Sequence, residues 1–126
     1  MINANKNNEP LDLSYLREMS GNSAEFIIEM LDAFKKQTPV YLAELEKAVW
    51  AADWKKASEC AHKMKPTFYY VGREDVRDHM QDIERNAREL IDIPGVQLAF
   101  EQARDFINNI LYRQLDEAKA VLEKEL

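Results

Sequence analysis

The chain has 126 residues, of which 46% are hydrophobic and 32% charged, with only three glycines and four prolines. That length gives one domain with its own core and is short for two, and the scarcity of turn formers favours long amphipathic helices over β structure. A formal net charge of -6 argues against nucleic-acid binding and against nonspecific binding to anionic membranes, both of which need clustered cations, and a single cysteine, Cys60, excludes an intramolecular disulfide framework.

Residues 1–10 are rich in Asn and carry almost nothing apolar to bury, which predicts a flexible N-terminal arm ahead of one helical domain over 11–126. No signal-peptide pattern precedes this polar start and no long apolar run follows, so a soluble, cytoplasmic protein is expected. The stretch LDLSYLREM predicts a short helix presenting Leu13 and Leu16, with Gly21 as its stop and Asn22 or Ser23 as the cap of the next.

A long helix is predicted from about Ala24 to Ala51, where Ile27, Leu31, Phe34, Tyr41, Leu42, Leu45, Ala48 and Val49 recur at three- and four-residue steps. Pro39 lies inside it and should kink it. Asp53 is the expected N-cap of a third helix whose apolar set, Ala57, Ala61, Met64, Phe68 and Val71, continues through Pro66 until Gly72 offers a terminus. A fourth, about Glu74 to Leu90, places Val76, Met80, Ile83, Ala87 and Leu90 on one face and ends before the turn Asp92 to Gly95. The last segment, about Val96 to Lys124, shows the same spacing through Phe100, Ala103, Ile107, Ile110, Leu111, Ala118 and Val121. Short connections between long one-sided helices predict an all-α, antiparallel four-helix bundle with a short additional N-terminal helix.

His62 lies well off the apolar stripe of the third helix, so its imidazole is expected on the solvent-facing flank, together with Lys65, Pro66 and Tyr69 at three, four and seven residues on. Lys55, Lys56, Lys63 and Arg73 add positive charge to this stretch against only Glu59, a basic island in an acidic chain. Such an island is ordinarily a solvated face, and it is also what holding a phosphoryl group requires.

These residues resemble the histidine-containing phosphotransfer (HPt) domains of phosphorelays. The pattern is an Ala-His pair, a lysine three residues after the histidine, a small residue at four followed by Ser or Thr, and a glycine at ten. Ala61, His62, Lys65, Thr67 and Gly72 match it, and the resemblance covers roughly Leu11 to Leu90. It implies that His62 is the phosphoacceptor and Lys65 its electrostatic support, in a phosphocarrier rather than a self-sufficient enzyme. The implied partners are a receiver domain of a response regulator and a hybrid sensor histidine kinase, with no cofactor bound by this chain and Mg²⁺ held by the receiver. Lys55, Glu59, Lys63, Pro66, Tyr69, Gly72 and Arg73 are the expected partner-binding residues.

Pro66 stands where the family commonly has glycine: it is either a tolerated kink or a device that keeps the surface beside His62 open. In a reading from a different class, the chain is a helical adaptor that docks a receiver or kinase without being phosphorylated. Cys60 and His62, two apart on a helix, diverge too far to share a metal site, and none is expected. His79 is expected at the core boundary, Cys60 as a small packing group, Trp50 and Trp54 as fillers of the bundle end, and the acidic residues of the last two helices on solvated faces.

Overall fold

The computed structural model describes residues 1–126, which form helices and turns and no strand. Helix α1 spans Ser14–Met19, α2 Ala24–Trp50, α3 Trp54–Tyr70, α4 Glu74–Glu89, α5 Ile93–Phe106 and α6 Tyr112–Glu123; a π turn, Ile107–Leu111, joins α5 to α6 in one helical run. Helix α3 packs against α2 and α4, α4 against α5, and α6 closes the ring on α2. Counting the joined α5 and α6 as one, this is the four-helix bundle that the periodicity predicts.

Local chemistry sets the helix ends. The Ser23 hydroxyl accepts from the Phe26 amide and the Asp53 carboxylate from that of Lys56, each satisfying a donor that the first helical turn leaves open. Asp92 does the same for Gly95. Helices α2 and α3 run without interruption through Pro39 and Pro66. At Gly72 the backbone turns at φ +77°, and a methyl group there would lie 2.5 Å from Asp12 Cβ, so this glycine serves both the turn and a close chain crossing.

One continuous core joins all four long helices, with Ile27, Leu45, Ala61, Phe68, Met80, Ile83 and Phe100 fully buried. Two apolar expectations are overturned. Val121 is exposed, and Leu122 is buried instead: the core positions of this run, Leu111, Leu115, Ala118 and Leu122, recur at four-, three- and four-residue steps, and Val121 falls off that stripe. Leu90, expected on the buried face of α4, sits at φ +55° just past the helix end and is 64% exposed, because the left-handed residue swings its side chain off the stripe. Trp54 packs partly against the core, whereas Trp50, T-shaped to Phe100 at 6.2 Å between ring centroids, stays half exposed.

Where the composition of residues 1–10 predicts a flexible arm, the structure has a 3-10 turn, Ala4–Asn8, docked on the bundle. Gln114 Nε2 donates to the carbonyls of Lys6 (2.9 Å) and Glu9 (3.0 Å), Arg73 Nη2 donates to Asn7 Oδ1 (3.0 Å), and the Asn3 amide donates to Asp75 Oδ2 (2.7 Å). The latch is polar and largely main-chain, which hydrophobic patterning cannot reveal. No helix is long and apolar enough to cross a membrane.

Candidate functional site

His62 occupies the middle of α3 on the flank away from the core, and its side chain is 68% exposed. The small buried residues Ala57, Ala61 and Ala87 let α3 and α4 approach closely, and the Ser58 hydroxyl donates to the Glu84 carbonyl across the gap at 3.0 Å. This brings the Glu84 side chain of α4 beneath His62, with Oε2 at 3.1 Å from Nδ1. On its other side Glu84 Oε1 meets Lys65 Nζ at 2.6 Å, and Lys65 also donates to Gln81 Oε1 at 2.6 Å.

Sequence reasoning placed Glu84 on a solvated face; it is buried, and its charge is retained because Lys65 and His62 face it. Burial pushes its carboxyl pKa up, but the hydrogen bond and charge of Lys65, with smaller contributions from His62, outweigh that and hold it below the ordinary glutamate value. An ionised carboxylate only accepts hydrogen bonds, so the imidazole donates from Nδ1, and the neutral ring carries its lone pair on Nε2. The arrangement therefore holds one tautomer with an accessible nucleophilic nitrogen. A signal for Glu84 was present: Met80, Ile83, Glu84 and Ala87 follow the i, i+3, i+4, i+7 pattern, which puts this carboxylate on the core stripe.

The other predicted residues divide. Lys55, Glu59, Lys63 and Pro66 are exposed along α3 on either side of His62, and neither Lys55 nor Lys63 forms an ion pair. Lys65 is not free: its ammonium group is engaged by Glu84 and Gln81. Tyr69 lies two turns beyond His62, with Tyr15 of α1 edge-on at 5.2 Å and the Arg77 guanidinium 5.3 Å from its ring centroid. Gly72 lies at the turn crossed by Asp12.

Arg73 is a correction. It is 2% exposed and does not offer a partner-binding surface, because the Asp75 carboxylate (2.9 Å), Gln114 Oε1 (3.0 Å) and Asn7 take up its donors while its guanidinium lies 4.5 Å from the Phe106 ring centroid. His79, expected at the boundary, is also buried, with Nε2 2.7 Å from the Ala99 carbonyl oxygen. Cys60 is buried, and that burial raises its thiol pKa. No group of three or more His, Cys, Asp or Glu side chains is arranged to hold a metal ion.

A family model described as the Hpt domain matches residues 29–121, a span that takes in all of α3 and α4, and the chain belongs to that family. Hpt domains are phosphocarriers that serve histidine phosphotransfer in two-component systems, not classical enzymes. No curated protein and no solved structure matches the chain.

Proposed function

We propose that the chain is a phosphorelay intermediate that accepts and donates a phosphoryl group through His62, between receiver-domain aspartates of a hybrid sensor kinase and of a response regulator, in the cytoplasm. The observation that carries this reading is the pairing of an exposed imidazole with a buried, ionised Glu84 on Nδ1, which in the neutral ring directs the lone pair of Nε2 to the open side. In the proposed step the Nε2 lone pair attacks the phosphorus of an aspartyl phosphate. The N–P bond forms, the acyl O–P bond breaks, and the partner's aspartate leaves as a carboxylate.

The positive charge gained by the ring is met at Nδ1–H by the Glu84 carboxylate. Lys65, held by Glu84 and Gln81 beside the imidazole, would assist by turning towards the phosphoryl oxygens. Mg²⁺ on the receiver would offset the remaining charge, since phosphoryl transfer needs mainly in-line positioning and neutralisation. Pro66 is exposed and carries no side chain long enough to cover the imidazole, in keeping with access from solvent.

The test is to incubate the chain with a panel of phosphorylated receiver domains and Mg²⁺ and to weigh the intact protein. The expected result is one acid-labile phosphoryl adduct, lost in His62→Gln and kept in His79→Gln. Binding to a receiver with no adduct on any of them would replace the carrier by an adaptor that docks without being phosphorylated.

A further inference from the structure

Two hollows lie end to end along the junction of α3 and α4. The first, about 300 Å³, is bordered by His62, Lys63 and Glu84; the second, about 400 Å³, by Trp54, Lys55, Arg88 and Leu90; Ser58 and Glu59 wall both. The trough thus starts at the imidazole and runs towards the end of the bundle where α3 begins and α4 stops. Its floor is formed by small buried side chains, Ser58 and Ala87. Its far end is apolar, and its rims are basic: Lys55 and Lys63 are unpaired, and Arg88 reaches the Glu84 carboxylate only at 3.8 Å, against the single unpaired acid Glu59.

Leu90 is the unexpected member. It holds φ +55°, a conformation in which glycine is free of strain and a leucine is not. Its side chain gains little from the fold, being 64% exposed at the mouth of the hollow. A strained backbone that displays an apolar side chain beside a site is a feature that contact with a partner would use.

We propose that the hollow between Trp54 and Leu90 is the selective part of the receiver-docking surface, taking an apolar side chain that the partner carries on an acidic loop beside its phosphorylated aspartate. This rests on the phosphocarrier reading. A partner that delivers a phosphoryl group to His62 must cover the adjoining surface, and the trough is continuous with that point. The charge is complementary too: a domain that carries an aspartyl phosphate and Mg²⁺-binding carboxylates presents acidic groups, and Lys55, Lys63 and Arg88 lie where those groups would approach. Tyr15 and Tyr69, on the other side of His62, give the contrasting surface.

The test compares wild type with Leu90→Gly, Lys55→Glu and the contrasting Tyr69→Ala. Leu90→Gly removes the side chain and relieves the strained φ, so it should keep or raise the melting temperature and loss of fold cannot mimic loss of docking. Each protein is titrated with the isolated receiver domains, followed by binding and by phosphoryl transfer, and phosphoramidate serves as a donor that needs no docking. The expected result is at least tenfold weaker binding and slower transfer in Leu90→Gly and in Lys55→Glu, with phosphoramidate labelling of His62 unchanged. Binding and transfer within twofold of wild type in both variants, or losses confined to Tyr69→Ala, would overturn the proposal and leave the phosphocarrier standing. Leu90-dependent binding to a receiver that transfers nothing would support the docking surface and sink the phosphocarrier instead.

Discussion

Replacing Glu84 by glutamine preserves shape and an acceptor oxygen while removing the charge beneath His62. In the native chain Nδ1 faces a carboxylate at 3.1 Å that Lys65 keeps ionised. A hydrogen bond to a charged group contributes about 1.5–3 kcal/mol, against about 0.5–1.5 kcal/mol for a neutral one, so the variant should lose on the order of 1–1.5 kcal/mol of support for a ring that becomes positive on phosphorylation. At 1.36 kcal/mol per factor of ten, that is roughly a tenfold slower labelling of His62. The assay is single-turnover labelling by phosphoramidate, which isolates the imidazole from docking, with circular dichroism to show that the helices persist. His62→Gln supplies the background. Labelling of Glu84→Gln within twofold of wild type would refute the claim that the buried carboxylate tunes the imidazole, and would reduce the contact to a structural one.

Three further outcomes follow from the geometry. Because the Glu84 carboxyl titrates lower in the folded chain than when unfolded, its contribution to stability is complete above the ordinary value near 4.5 and is lost as pH falls through the lower folded value; urea midpoints of wild type and Glu84→Gln should therefore converge on acidification, and a gap that stays constant would contradict this sign. Gly72→Ala combines a left-handed φ of +77° with a methyl 2.5 Å from Asp12 Cβ, so it should cost at least about 1–3 kcal/mol in denaturant unfolding, and a neutral result would mean that the crossing of the 11–13 segment over this turn is wrong. Leu122→Ala should cost about 2–5 kcal/mol and Val121→Ala no more than about 0.5 kcal/mol; the reverse order would mean that α6 turns its Val121 face to the core.

Much of this molecule was legible locally. The helical period located the four long helices, capping chemistry marked where two of them begin, at Asp53 and at Asn22 or Ser23, and the offset of His62 from the Ala57, Ala61, Met64 stripe was enough to put its imidazole outside. These conclusions depend on residues within one or two turns of each other, and a helix has the same period whatever packs against it. Tertiary structure decided which polar residues on an apolar stripe find a partner across the bundle. Glu84, His79 and Gln114 are all buried on their helices; the helical period can mark such a position, as it does for Glu84, but it does not name the Lys65 ammonium, the Ala99 carbonyl and the arm's carbonyls that the fold brings opposite them. Arg73 belongs with them: in sequence it extends a basic island, and in the fold Asp75, Gln114 and Phe106 bury it. A buried charge or amide is stable only with its donors and acceptors satisfied, and apart from Asp75, two residues from Arg73, those partners come from helices and a terminal arm far away along the chain.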